Sequence, residues 1–121
     1  MACHTLIIED ESLHGYQVAD VLEDAGTTSL SFAATEEQAL EEAKARRPDF
    51  IVCDVQLREG SGPDAVRRIR HELCDIPVMF VTGMPEDCDA LDYAVAVLVK
   101  PVSDQQLAAT FRHHAGRLPP T

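Results

Sequence analysis

The chain lacks the features that would tie it to a membrane, to nucleic acid or to an oxidising compartment. No apolar run approaches the roughly 18 residues that a bilayer span needs, and the N-terminal stretch MACHTLIIEDES turns acidic too early for a signal peptide. There are 10 Lys and Arg against 21 Asp and Glu, and a net charge of -11 offers no basic face to nucleic acid or anionic lipid. We therefore expect a soluble, cytoplasmic protein that binds neither.

Cysteine pairs are missing as well. Cys3, Cys53, Cys74 and Cys88 are widely spaced and form no CxxC motif, so the sequence indicates neither a zinc site nor a disulfide scaffold. A chain of 121 residues can bury enough surface to fold without them. We expect one domain over residues 1–121, of which 117–121 form a short tail.

Five short apolar runs, mostly rich in Val, Ile or Phe, alternate with helix-like segments. The predicted strands are Leu6–Ile8, Leu30–Ala33, Phe50–Cys53, Val78–Val81 and Val95–Val99. Strict alternation of strand and helix predicts parallel βαβ units with right-handed crossovers. The fold class is therefore α/β, with a doubly wound five-stranded parallel sheet and helices on both faces.

The segments between the strands carry helix signals of unequal strength. In the first, Leu13 and Tyr16 fall at helical spacing with other apolar residues, and Gly26 supplies a C-terminal cap. The second begins with a capping box, Thr35–Gln38. The fourth predicted helix, residues 85–94, is short and acidic and has little apolar stripe.

Polar residues follow four of the five strands. Glu9 and Asp10 follow the first strand, Asp54 the third, Thr82 the fourth and Lys100 the fifth. In an open doubly wound sheet, ligands bind outside the carboxyl ends of the strands. If the first and third strands are neighbours, the three carboxylates converge, and they repel one another unless a cation holds them.

Carboxylate ligands of this kind suit Mg2+. Together with a hydroxyl and an ammonium group they predict a site for a phosphoryl group. In such a site Lys100 and the metal neutralise the phosphoryl oxygens, Thr82 hydrogen-bonds one of them, and Asp54 attacks in line as the nucleophile.

Four motifs in register, IIEDES, IVCDVQL, FVTG and VLVKP, resemble the receiver domain of bacterial two-component response regulators over nearly the whole chain. The resemblance implies a flavodoxin-like sheet of strand order 2-1-3-4-5. It implies that Asp54 is the phospho-acceptor, that Glu9 and Asp10 form the acidic pocket with it, and that Thr82 and Lys100 are the switch hydroxyl and the family lysine.

Further expectations come only from this resemblance. The backbone carbonyl of Gln56 is expected to be a metal ligand beside the three carboxylates, and the Lys100–Pro101 peptide bond is expected to be cis. Gly83, in PVMFVTG, resembles a subgroup of single-domain receivers with an FxTG-type motif, which in alphaproteobacteria is associated with general stress.

The implied function is that of a single-domain response regulator. It would accept a phosphoryl group from a sensor histidine kinase or histidine phosphotransfer protein. It would then signal through a phosphorelay or by docking a partner on the face formed by the fourth helix, fifth strand and fifth helix. We expect a monomer or weak dimer that is no enzyme beyond its own phosphorylation and dephosphorylation.

Two departures from the family pattern leave a second function open. Glu9 stands where the family usually has Asp, and Val97 stands where receivers commonly carry a switch Tyr or Phe; Tyr93 belongs to the preceding helix or loop. The alternative is a degenerate pseudo-receiver that binds proteins independently of phosphorylation. His14 lies near the acidic loop and could line the site, but a surface histidine is the expectation.

Rival doubly wound proteins fit the sequence less well. A P-loop nucleotidase needs GxxxxGK[ST], which is absent. A phosphatase of the haloacid dehalogenase type needs an acid two residues after its nucleophile, and here Gln56 stands there.

Overall fold

The computed structural model describes residues 2–73, 75–83 and 93–115. Within them the strands are β1 His4–Ile8, β2 Ser29–Ala33, β3 Phe50–Asp54, β4 Val78–Thr82 and β5 Ala96–Val99. The helices are α1 Ser12–Ala25, α2 Glu36–Ala45, α3 Gly62–Leu73 and α4 Asp104–Ala115. The helix predicted over 85–94 lies outside the described residues except for its last two positions, so α4 corresponds to the fifth helix of the sequence prediction.

All five strands are parallel and form one sheet in the order β2-β1-β3-β4-β5. This confirms the doubly wound fold and the strand order that the sequence implied. In the register of the sheet, Ile8 of β1 lies beside Cys53 of β3, and Asp54 lies beside Val81 of β4. The carboxyl ends of β1, β3 and β4 therefore lie next to one another.

Two apolar layers cover the two faces of the sheet. One joins the sheet to α1 and α4 through Ile7, Phe50, Val52, Met79, Val81, Leu98, Val18, Ala19, Leu22, Leu107 and Phe111. The other joins it to α2 and α3 through Leu6, Ile8, Ile51, Cys53, Val78, Phe80, Ala39, Ala43, Ala65, Val66 and Ile69. Alternate residues of the central strands β3 and β4 enter opposite layers, which is why Phe50–Cys53 and Val78–Val81 read as continuous apolar runs.

Helix ends follow the predicted caps. Gly26 adopts φ 120° and its N–H donates to the carbonyl of Leu22 at 3.0 Å. Thr35 Oγ1 accepts the N–H of Gln38 at 3.1 Å, and Gln38 Oε1 accepts the N–H of Ala34 at 2.9 Å. Each contact satisfies a backbone group that the helix itself cannot pair.

The apolar face of α1 differs from the predicted one. The buried residues of α1 are Gly15, Val18, Ala19 and Leu22. Leu13 is 76% exposed and Tyr16 is 61% exposed. At 100° per residue both project away from the buried stripe, although Tyr16 packs edge-on against Phe32 of β2 with ring centroids 5.8 Å apart.

Strand β1 begins two residues earlier than the apolar pattern indicated. His4 is only 3% exposed, and its ring nitrogens lie 2.8 Å from the hydroxyls of Ser29 and Ser31 on β2. Its backbone N–H donates to Asp49 Oδ2 at 2.9 Å. A polar residue thus continues the strand because each of its polar groups has a partner.

Candidate functional site

Three carboxyl groups meet at the carboxyl ends of β1 and β3. Glu9, Asp10 and Asp54 each offer an oxygen, and these oxygens all lie within 4.8 Å of one another. The two acids after β1 reach Asp54 because β1 and β3 are neighbours. The structure thus brings together the acids that the sequence predicted to converge.

A lysine contacts this cluster from the far side of β4. Lys100 Nζ donates to Asp54 Oδ2 at 2.8 Å, and the Asp54 side chain is 11% exposed. Gln56 donates its backbone N–H to Asp54 Oδ1 at 3.1 Å, so both carboxylate oxygens of Asp54 accept a hydrogen bond. The Lys100–Pro101 peptide bond is cis, as the resemblance implied.

Thr82 occupies the end of β4, where it is completely buried. Its backbone carbonyl accepts the N–H of Lys100 at 2.7 Å. This bond joins the ends of β4 and β5 and keeps the predicted hydroxyl and the predicted lysine on adjacent strands. The backbone carbonyl of Gln56 stays a predicted metal ligand, in the loop directly after Asp54.

The electrostatics of the cluster favour one proton on Glu9. Burial, reinforced by the neighbouring Asp54 carboxylate, raises the pKa of Glu9 to about 8. Burial alone would raise the pKa of Asp54 too, but Glu9 and Lys100 together hold it below its ordinary value. Burial would likewise lower the pKa of Lys100, yet its pairing with Asp54 raises it. At neutral pH, Asp54 is therefore ionised and Lys100 is charged.

The loop between β3 and α3 supplies contacts that the sequence did not indicate. The backbone N–H of Arg58 donates to Asp10 Oδ2 at 2.7 Å. Gly62 begins α3 directly against the backbone of Asp54, where a Cβ would lie 1.9 Å from the Asp54 carbonyl oxygen. Only a residue without a side chain fits there, so this glycine allows α3 to start at the site.

His14 belongs to the site, contrary to the expectation of a surface histidine. Its Nδ1 lies 2.6 Å from Glu9 Oε1, and its side chain is 29% exposed. Burial, with the charge of Lys100, lowers the pKa of His14. The sequence contained one signal for this contact: His14 lies in the first turn of the helix that directly follows the acidic loop.

Val97 and Tyr93 lie in the apolar layer between the sheet and helices α2 and α3, on the opposite face of the sheet from α1. Val97 lies on β5 beside Phe80 of β4 and packs against the α2–α3 layer. Tyr93 precedes the strand, as predicted, but its ring turns inward: it packs edge-on against Phe80 with centroids 6.0 Å apart, and the Arg70 guanidinium lies 4.9 Å from its centre. An aromatic ring is therefore present in this layer, but it comes from Tyr93 before β5 and not from position 97, where receivers commonly carry it.

The acidic cluster suits a hard divalent cation. All three acids offer carboxylate oxygens, which Mg2+ prefers. Glu9 Oε2 is buried and has no hydrogen-bond partner among the described residues. A buried carboxyl oxygen without a partner is costly, and a bound cation, which displaces the proton of Glu9, would satisfy it. The residues present therefore fit a metal of this class.

The sheet order, the acidic pocket at the strand ends and the lysine paired with Asp54 define a doubly wound domain with a CheY-like fold. The family model for the response regulator receiver domain matches residues 5–112. The chain belongs to this family. Members generally bind Mg2+ at acidic residues, and a cluster of such residues is present here.

Comparisons with individual proteins agree with this family. The chain is 36% identical over 116 residues to the transcriptional regulatory protein YvrH of Bacillus subtilis, covering 93% of this chain and 48% of YvrH. It is 38% identical over 88 residues to the phyllosphere-induced regulator PhyR of Methylorubrum extorquens, covering 71% of this chain and 33% of that protein. The chain thus spans half or less of the length of these relatives.

A solved structure extends the likeness to three dimensions. The solution structure of the receiver domain of the Erythrobacter litoralis PhyR response regulator superposes with a TM-score of 0.84 at 30% identity, covering 99% of this chain and 95% of that domain. None of the described helices reaches the length and apolarity that a membrane span requires.

Proposed function

We propose that this receiver domain accepts a phosphoryl group on Asp54 in a Mg2+-dependent reaction. The donor is a phosphohistidine on a sensor histidine kinase or a histidine phosphotransfer protein. The observation that carries the proposal is the cluster of three carboxyls within 4.8 Å, with Lys100 Nζ 2.8 Å from the Asp54 carboxylate. A nucleophilic carboxylate, a cluster of cation ligands and a fixed ammonium are the groups that phosphoryl transfer requires.

Glu9, Asp10, Asp54 and the backbone carbonyl of Gln56 would hold the Mg2+ ion, which when bound neutralises charge on the phosphoryl oxygens. A carboxylate oxygen of Asp54 forms the new bond to phosphorus, while the bond from phosphorus to the donor imidazole nitrogen breaks. The leaving imidazole recovers the electron pair and takes up a proton.

Lys100 and Thr82 act on the transferred group. Lys100 exchanges its contact with the Asp54 carboxylate for a phosphoryl oxygen, because the negative charge has moved outward onto that group. Thr82 donates its hydroxyl to another phosphoryl oxygen. Since the Thr82 carbonyl accepts the Lys100 N–H, a movement of either residue is transmitted to the start of the loop after β5.

The signal then passes to a partner protein or along a phosphorelay. β5 is an edge strand of the sheet, and Val99 at its end is 46% exposed. Val95, just before β5, is 36% exposed as well, and two exposed apolar side chains at one sheet edge support docking on the face of β5, α4 and the segment before β5. We further propose that residues 1–121 act as one receiver domain, like the receiver domain of the PhyR response regulator to which the chain is similar.

The test is incubation with Mg2+ and acetyl phosphate, followed by intact mass measurement. The expected result is a gain of one phosphoryl group that requires Mg2+. Asp54→Asn should abolish the gain, whereas Asp64→Asn, the same chemical change at an exposed acid on α3, should leave it intact. Modification of Asp54→Asn, or no modification of the native chain, would contradict the proposal.

One observation favours the alternative of a pseudo-receiver. Glu9 replaces the usual Asp, and its carboxyl carries a raised pKa, which opposes the ionised form that a metal needs. In that case the chain binds its partner without phosphorylation and shows neither Mg2+ binding nor reaction with acetyl phosphate. Calorimetric titration with Mg2+ together with the mass measurement distinguishes the two functions.

A further inference from the structure

The side chain of Glu9 is held in place by a side chain of α1. It is buried, with 5% of its side chain exposed, and its Oε1 lies 2.6 Å from Nδ1 of His14. The second oxygen, Oε2, is also buried but has no hydrogen-bond partner among the described residues. One oxygen is thus held by α1 while the other is left for a further ligand.

The first turn of α1 has room for the additional methylene of Glu9. Gly15 is buried, and a Cβ built on it would lie 3.8 Å from Glu9 Cγ and 3.9 Å from Glu9 Cβ. The aliphatic part of Glu9 therefore runs along bare helix backbone. Both are ordinary van der Waals distances, so even an alanine at position 15 would contact Glu9 without a clash.

Each of the other two acids of the cluster also accepts a backbone hydrogen bond on one oxygen, and the second oxygen of Asp54 is held by Lys100. Asp10 accepts the backbone N–H of Arg58 on one oxygen, at 2.7 Å. Asp54 accepts the backbone N–H of Gln56 on Oδ1, at 3.1 Å. For these acids the orienting donor is a backbone group of the loop after β3, whereas for Glu9 it is a side chain of α1.

We propose that His14 is a positioning residue for the metal site: its Nδ1–H donates to Glu9 Oε1 and turns Oε2 towards the acidic cluster as a metal ligand. The inference rests on the Mg2+ site of the proposed function. Carboxylates that bind metals are commonly oriented by hydrogen bonds of this kind, and loss of such a partner typically lowers metal affinity about 10-fold to 100-fold. The imidazole thus adapts the site to the longer acid.

The test is the Mg2+ dissociation constant, measured by calorimetry and by NMR shift titration on the native chain and three variants. His14→Ala should weaken binding about tenfold or more. His14→Asn keeps an N–H donor near the position of Nδ1 and should recover most of the affinity. His14→Gln places its donor where Nε2 lies, so it should behave like alanine. The Asn and Gln variants are similar in polarity, and their difference reports the position of the donor.

A double-mutant cycle gives the decisive comparison. In a Glu9→Asp background the carboxyl is one methylene shorter and loses the contact with Nδ1. Removal of His14 should then change the dissociation constant less than about twofold, because the coupling between the two residues is gone. Leu13→Ala, next to His14 but 76% exposed, is the matched control and should have no effect.

Several outcomes would overturn the inference. An equal loss of affinity for His14→Ala in the native and Glu9→Asp backgrounds would indicate that the histidine acts independently of Glu9. If the native chain binds Mg2+ and His14→Ala binds it equally well, the positioning role of His14 is excluded, but the proposed Mg2+ site is not. Absence of Mg2+ binding by the native chain would instead contradict the proposed function and, with it, this inference.

Discussion

Lys100 Nζ and Asp54 Oδ2 lie 2.8 Å apart, although 46 residues separate them in the chain. Parallel pairing of β3, β4 and β5 brings their carboxyl ends together and closes this distance. The ion pair is partly shielded, with 32% of the Lys100 side chain and 11% of the Asp54 side chain exposed.

Replacement of Lys100 by alanine should slow phosphoryl incorporation from acetyl phosphate about 100-fold, the typical cost of losing one charge-stabilising donor in a reactive site. Time-resolved intact mass would measure it. Lys44→Ala is the matched control, because Lys44 lies 3.9 Å from Glu72 on the surface and far from the site in the fold. Equal rates for the native chain and Lys100→Ala would refute the assigned role.

Replacement of Gly62 by alanine should lower the free energy of unfolding by about 1–3 kcal/mol, as overpacking typically does. The added Cβ would lie 1.9 Å from the Asp54 carbonyl oxygen and 2.7 Å from Cys53 Sγ, so β3 or α3 has to shift. Urea denaturation followed by circular dichroism would measure the loss. Gly83→Ala, where a Cβ meets nothing within 4 Å, should be nearly neutral; similar losses for both would be inconsistent with this steric explanation.

Replacement of Tyr93 by phenylalanine should raise the free energy of unfolding by about 1 kcal/mol. The Tyr93 hydroxyl is buried and has no hydrogen-bond partner among the described residues, so its removal ends a desolvation cost. The ring contacts with Phe80 and Arg70 stay in place. Tyr16→Phe, at a ring that is 61% exposed, should change little in the same denaturation experiment. A destabilised Tyr93→Phe variant would mean that the hydroxyl has a partner.

Stability should fall as the pH drops below the ordinary histidine range, in part through His4. Burial, with the charge of Arg46, lowers the pKa of His4 from 6.5. Well above pH 6.5 the ring is neutral in both states, so folding is not penalised. As the pH falls through 6.5 the unfolded chain takes up a proton before the folded chain does, and the free energy of unfolding declines until the folded pKa is passed.

The measurement for His4 is urea denaturation at about pH 7 and about pH 5. His4→Gln should lose less stability between the two values than the native chain, because the titrating ring is gone. His71→Gln, at an exposed histidine of α3, should keep the full dependence. Identical pH profiles for the native chain and His4→Gln would show that other groups cause the decline.

Local patterns in the sequence were sufficient for most of the architecture. Alternating apolar runs and helix signals predicted all five strands, and Gly26 and Thr35 marked helix ends at the correct residues. The convergence of Glu9, Asp10 and Asp54 followed from the same argument, since parallel strands align their carboxyl ends on one edge. These features depend on backbone periodicity and on chain direction, which a sequence carries directly.

Which side chains meet across the fold was decided by tertiary packing. The residues that α1 buries are set by its contact with the sheet and α4, and that orientation exposes Leu13 and turns His14 onto Glu9. The close approach of Gly62 to Asp54 likewise depends on how the loop after β3 folds back. Whether such contacts form depends on the rotation of a helix about its axis and on the path of a loop. Short-range sequence patterns specify neither of these.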